Sequence, residues 1–273
     1  MEMKILVPID FTPVTEKALD YAQGLPGDPR SLHLLHVVEE ESQRAEALER
    51  LKSLADAHNL PGETDFLVQL GSIFEQIGQT AEQIKAGLVV MGTHGAKGLQ
   101  KLFGSHAIRV VTSAKTPFIV TQAEVEQNRP LQKIVVPLAL EKEEKKVLSV
   151  VATLAAPLKA EVLLFSQDPK DEFLRNQLNR NASFARKFLV ERGVNSRVQR
   201  SDSKESFDRA TVSFAQAENA DLIAVINKHQ DGYLNLFGKN FDQNLITNAA
   251  HIPVLTLNTD SATDVHDIFR TLA

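Results

Sequence analysis

Short continuous apolar runs alternate with longer stretches whose apolar positions recur at helical spacing. Ile5–Ile9 is uninterrupted by charge, the pattern of a strand buried on both faces of a parallel sheet. Thr12 followed by Pro13 predicts the N-cap and first residue of a helix that runs to about Gln23, where Gly24, Pro26 and Gly27 stop it. Leu32–Val38 predicts a second strand. Ser42–His58 carries Ala45, Leu48, Leu51 and Ala55 as a helical stripe, ended by Asn59-Leu60-Pro61-Gly62. Phe66–Leu70 predicts a short strand, and Ser72 with Glu75 fits a capping box opening a helix to about Lys85. Leu88–Met91 predicts a fourth strand. A glycine-rich stretch then leads to a last helix near His106–Ser113, and Phe118–Thr121 closes the set. Strands alternating with helices imply parallel βαβ units.

The same order recurs in the second half. Lys4-Ile5-Leu6-Val7-Pro8-Ile9 returns as Lys133-Ile134-Val135-Val136-Pro137-Leu138, 129 residues on. That offset carries Leu19 onto Leu148 and Leu34-Leu35 onto Leu163-Leu164. Further along, an offset of about 134 carries Leu88-Val89 onto Leu222-Ile223, Gly98 onto Gly232 and Gly104 onto Gly238. An ordered series of matches points to duplication. The polar segment Gln122–Pro130 reads as a linker, so the expected units are 1–127 and 128–273, the latter with a longer second helix within Asp171–Arg192. The closing segments Phe118–Thr121 and Pro253–Leu257 are the expected place for the two lobes to pair, as duplicated lobes reproduce a two-fold contact. Asp264–Leu272 lies outside the repeat as a tail.

Composition narrows the classes. With 273 residues and 43% hydrophobic positions, each half can bury its own core. The chain has no cysteine, which excludes disulfides and thiolate metal sites. No apolar stretch reaches the roughly 18 residues of a membrane span, and no signal-peptide pattern opens the chain, so a cytoplasmic protein is expected. Residues 1–127 hold 11 Lys or Arg against 17 Asp or Glu, a net of −6, and the remainder is close to neutral. Neither half has the basic balance of a duplex-DNA binder, and no nucleic-acid partner is expected.

Two constellations carry candidate chemistry. Asp10 stands where the first strand gives way to the first helix. In open α/β sheets ligands bind at the carboxyl ends of the strands, and a carboxylate there can accept from a ribose hydroxyl or an adenine amine. It can equally cap the following helix. The second constellation is Gly92–Ser105, after the fourth strand. Its glycines permit close approach by a ligand. Gly104-Ser105 would open a helix toward an anion, with Lys97 and Lys101 nearby. Together with Asp10, this favours a phosphate-bearing ligand over a plain connector.

These residues resemble the universal stress protein family. Val7-Pro8-Ile9-Asp10, Met91-Gly92-Thr93-His94-Gly95 and Gly104-Ser105 match segments that the family shares. The resemblance implies a tandem pair of Rossmann-like lobes, each a five-stranded parallel sheet flanked by helices. It also implies ATP or a related adenine nucleotide as ligand. Carried over position by position, Asp10 faces the nucleoside, Val37 borders the adenine, and Gly92, Gly95, Gly104 and Ser105 surround the phosphates. There is a departure: eight residues, Ala96–Phe103, separate Gly95 from Gly104, where the family's ATP-binding pattern has nine. Two readings follow, a nucleotide-responsive binding module and a structural or interaction protein of the same fold, with intramolecular lobe pairing and a homodimer as the expected assemblies.

Enzyme readings find little support. Walker and nucleophile-elbow motifs are missing, and no general base is identifiable. His33 and His36, three apart on a strand, face opposite ways and cannot share an ion. Phe173, Phe184, Phe188, Phe207 and Phe214 read as core. In the second half Ala139, Ile226, His229 and Lys239 replace Asp10, Gly92, Gly95 and Ser105, so one nucleotide site per chain is expected, in the first lobe.

Overall fold

The computed structural model describes residues 3–27, 30–93, 115–123, 130–138, 144–227 and 241–258. The first half contributes β1 (Met3–Pro8), α1 (Pro13–Gly24), β2 (Arg30–Val38), a 3-10 turn at Glu41–Gln43 leading into α2 (Arg44–Ala57), β3 (Asp65–Leu70), α3 (Ile73–Ile84), β4 (Leu88–Thr93) and β5 (Phe118–Gln122). The second contributes β6 (Lys133–Pro137), α4 (Glu144–Leu158), β7 (Glu161–Gln167), α5 (Glu172–Val190), β8 (Ser196–Ser201), α6 (Phe207–Ala217), β9 (Leu222–Asn227), α7 (Phe241–Ile246) and β10 (Val254–Asn258).

The strands form one ten-stranded sheet in the order β3-β2-β1-β4-β5-β10-β9-β6-β7-β8. All pairings within each half are parallel. The halves meet where β5 and β10 run antiparallel, with Val120 opposite Val254 and Phe118 opposite Thr256. The fold is therefore α/β, two Rossmann-like lobes of five strands each, joined through their closing strands. Gln122, at the end of β5, reinforces the join: its buried side chain donates to the Asn248 carbonyl at 2.9 Å. The antiparallel join puts corresponding helices on one side. α1, α2, α4 and α5 bury Leu19, Leu51, Leu148 and Leu189 in one cluster, and α3, α6 and α7 bury Ile77, Ala215 and Leu245 in the other. Strand alternation feeds both, Ile5 and Val7 facing the first and Leu6 the second.

Several expectations are corrected. Ile5 lies opposite Leu32 and Ile134 opposite Val162, so the second strands correspond at an offset of 130. Leu34 thus matches Leu164 and Leu35 matches Phe165. The offset of 129 would exchange the two faces, because side chains alternate with period two. On α2 the buried stripe is Ala47, Leu51 and Ala55, and Ala45 is exposed. Ser72 occupies the N-cap of α3 but its side chain caps nothing. The capping box in this lobe belongs instead to Glu40 and Gln43, whose Oε1 accepts from the Glu40 backbone N–H at 3.0 Å. Phe188, Phe207 and Phe214 pack inside, but Phe173 and Phe184 stand 69% and 48% exposed, because they lie opposite the buried face of α5. The linker residues 124–129, the helix expected near 106–113 and the tail after Asn258 lie outside the described residues.

Candidate functional site

β1 is flanked by β2 on one side and β4 on the other. The chain leaves β1 through α1 on one face of the sheet and enters β4 from α3 on the other. Connections that diverge in this way open a crevice beyond the strand ends, the usual ligand position in open α/β sheets. A shallow recess, open to solvent and with about 20 Å³ of room for a water-sized sphere, lies there between Pro8, Asp10, Thr15, Ile73, Ile77, Met91 and Gly92.

Asp10 is exposed at its mouth and is held by one oxygen. Oδ1 accepts from the Thr12 backbone N–H at 2.9 Å, the Thr12 hydroxyl at 2.5 Å and the Thr15 hydroxyl at 2.9 Å. Among the described residues nothing donates to Oδ2. Thr12 takes the N-cap position of α1, but its hydroxyl serves Asp10 and not the helix. Asp10 therefore orders the turn ahead of α1 through one oxygen, and the N-cap of the helix falls to Thr12.

Phe11 follows with φ 62°, a left-handed conformation that a bulky residue adopts only when its surroundings impose it. Its ring packs on His36 with centroids 4.7 Å apart, and the Arg50 guanidinium lies 3.9 Å from its centroid. The His36 Nδ1–H donates to the Ile9 carbonyl at 2.7 Å. β1, β2 and α2 thus lock the turn that presents Asp10. Composition did not reveal Phe11, Thr15, Ile73 or Ile77 as site residues. The available signal was an Asp followed two and five positions later by threonines.

Gly92 sits on β4 against the first turn of α1. A Cβ there would lie 2.5 Å from the Val14 carbonyl oxygen. Its bare backbone is thus required by the helix itself, whatever a ligand demands. Val37 is on β2 opposite Gln69, half-buried against the cluster under α3, and does not line the recess. Gly95, Gly104 and Ser105 lie outside the described residues. Of the six expected positions, the structure brings Asp10 and Gly92 to one recess and sets Val37 on a neighbouring strand.

The histidine pair behaves as strand geometry requires. His33 is buried, with Nδ1 3.0 Å from Asp65 and Nε2 3.0 Å from the Ser31 hydroxyl, while His36 serves the β1 turn. No group of three potential metal ligands converges among the described residues.

In the second lobe the corresponding crevice is differently built. Gln167 stands in Val37's place, its amide donating to the Glu205 carbonyl at 2.9 Å. Ile226 stands in Gly92's place. Phe165 replaces Leu35 and Phe207 replaces Ile73, and the Phe165 ring stacks on Phe207 and Phe214 at 5.8 and 4.6 Å. Nearby, burial alone would raise the Asp208 carboxyl, but hydrogen bonds from Ser206 and Asn244 outweigh it and hold it below the usual carboxylate range. At the lobe boundary, burial and then the Asp221 charge push the Tyr21 phenol well above its ordinary value.

Residues 1–122 match the model of the universal stress protein family, and the match ends with the last residue of β5. The first lobe is thus similar to the universal stress protein family. Universal stress protein G of Escherichia coli O157:H7 is 28% identical over 142 residues, covering 45% of this chain and all of that protein. A universal stress protein of Methanocaldococcus jannaschii is 36% identical over 100 residues, covering 36% of this chain and 56% of its own. Among solved structures, a universal stress protein from Archaeoglobus fulgidus DSM 4304 superposes over 94% of this chain and 98% of its own, with TM-score 0.73 and 14% identity. A putative universal stress protein from Pseudomonas aeruginosa UCBPP-PA14 covers 98% of this chain and 95% of its own, with TM-score 0.63 and 18% identity. At those identities the two structures establish the fold, and both extend over both lobes of the chain.

Proposed function

We propose that the first lobe binds ATP or a related adenine nucleotide in the crevice between β1 and β4, as a binding module and not as an efficient enzyme. The observation that carries this reading is the recess at the strand ends, with Asp10 held by Oδ1 and Oδ2 left for a ligand donor. In this reading Oδ2 accepts from the nucleoside, Val37 borders the adenine, and Gly92, Gly95, Gly104 and Ser105 surround the phosphates. In this reading the units are 1–127, which holds the site, and 128–273, where Ile226 stands in the place of Gly92 and Phe207 in that of Ile73. The setting is cytoplasmic.

The test is calorimetric titration of the full chain with ATP, ADP, AMP and adenosine. Asp10→Asn keeps an oxygen for the threonines and removes the charge, so it separates ligand contact from turn stability. It should weaken binding by about 1–3 kcal/mol with the melting temperature little changed. Gly95→Val should weaken it further if that backbone approaches phosphate. Absence of binding by the folded wild-type chain would favour the alternative, a structural or interaction protein that retains the fold. The eight-residue spacing between Gly95 and Gly104 is the observation behind that alternative.

A further inference from the structure

We propose that the chain associates head to tail, the basic end of its sheet at α5 and β8 docking on the acidic end at α2 and β3 of a second copy. The closing strands β5 and β10 are consumed inside the chain, so the sheet ends in β3 on one side and β8 on the other. α2 and α5 take the same place in their lobes and lie on the same face of the sheet. Their charges are opposite. Residues 41–70 hold six Asp or Glu against three Lys or Arg, a net of −3. The matching thirty residues, 172–201, hold seven Lys or Arg against two Asp or Glu, a net of +5 in a chain whose total is −5.

The reversal falls on corresponding surface positions. Ala47 and Leu51 are buried on α2 as Leu178 and Ala182 are on α5. That alignment puts Glu49 on Arg180 and Asp56 on Lys187, all four exposed. Arg180 and Arg186 at one end, and Glu46 and Asp56 at the other, make no ion pair among the described residues. The basic end also displays Phe173 and Phe184, and the acidic end displays Leu70 at the tip of β3, 43% exposed. Nine strand spacings of about 4.8 Å separate the edges by roughly 43 Å. The Debye length at 0.1 M salt is about 10 Å, so the two ends do not neutralise each other. A contact between two different patches is heterologous, and without closure it propagates.

Sedimentation of the full chain over a concentration series tests this, at about 0.01 M salt and again near 1 M, where the Debye length shrinks from ~30 to ~3 Å. At low salt the weight-average mass should climb past twice the monomer without a plateau, and at high salt it should return to the monomer. Arg180→Glu with Arg186→Glu, and separately Glu49→Lys with Asp56→Lys, should each weaken association by roughly tenfold or more. All four side chains are exposed, and a thermal melt confirms that the variants fold. Mixing the two variants should restore open-ended association with the two alternating, because their unaltered ends make the original contact and their reversed ends complement each other. A chain that stays monomeric at low salt, a mass that levels at the dimer, or a mixture that forms no complex would overturn the proposal. Binding to phosphatidylglycerol vesicles without self-association would also overturn it, by assigning the basic end to a lipid surface.

Discussion

Gly92→Ala separates two demands on the same backbone. Added at this position, a Cβ meets the Val14 oxygen at 2.5 Å, the Val14 carbonyl carbon at 2.9 Å and Val14 Cγ1 at 3.0 Å. Ordinary contact begins near 3.4 Å, so the first turn of α1 must retreat by about 0.9 Å. The obstructing atoms are backbone, and that turn is tied to Asp10 through Thr12 and Thr15, so little of the strain can be relieved by a rotamer change. Overpacking of this kind costs about 1–3 kcal/mol. At roughly 2–4 °C per kcal/mol for a chain of this size class, the melting temperature should fall by somewhere between ~2 and ~12 °C. Calorimetric melting with and without nucleotide is the assay. Stability within about 0.5 kcal/mol of wild type, together with lost nucleotide affinity, would refute the packing argument and return Gly92 to a ligand role alone.

Further outcomes follow from the same contacts. Titration of the intact chain should give one nucleotide per chain, and Asp10→Asn should not reveal a second site; saturable binding at two sites would reassign the second crevice. Tyr21→Phe should leave stability unchanged or raise it by about 1 kcal/mol, because the buried hydroxyl has no hydrogen-bond partner among the described residues. A clear loss in urea unfolding would show that this hydroxyl is satisfied across the lobe boundary. Asp208 is held below its ordinary value, so its contribution is present at neutral pH and disappears as pH falls through the folded-state value, below about 3.8. Asp208→Asn should therefore lower stability at pH 7, with the difference from wild type narrowing toward pH 3.

The sheet was legible because its strands are continuous apolar runs and its helices are striped. The details that escaped have physical reasons. As a string of letters Leu34-Leu35 aligns better with Leu163-Leu164 than with Leu164-Phe165, and only the pairing of Ile134 with Val162 shows which faces match. Ala45 and Ala47 serve a helical stripe about equally, since the smallest side chains carry little periodic signal. Phe173 and Phe184 read as core because an aromatic side chain is usually buried, yet the buried stripe of α5 runs through Leu178, Ala182 and Leu189. Asp10 was visible as a candidate from its position at a strand end. The division of labour between its two oxygens depends on where Thr12 and Thr15 come to rest, which is a tertiary fact. Gly92 was noticed for the freedom glycine gives a ligand, but the neighbour that needs that freedom is a helix seventy-eight positions earlier in the chain.

The antiparallel seam between β5 and β10 has an evolutionary consequence. Two separate identical subunits joined through the same strands would share one gene, and any change at a crevice would appear twice. A phenylalanine in place of Ile73 would narrow both crevices together, and an isoleucine in place of Gly92 would push both first helices. Covalent fusion lifts that constraint. Phe165, Phe207 and Ile226 stand in one lobe where the other has Leu35, Ile73 and Gly92, differences that only separate coding of the two lobes permits. One lobe could specialise as a scaffold, still supplying five strands to a shared sheet, while the other remained open at its strand ends.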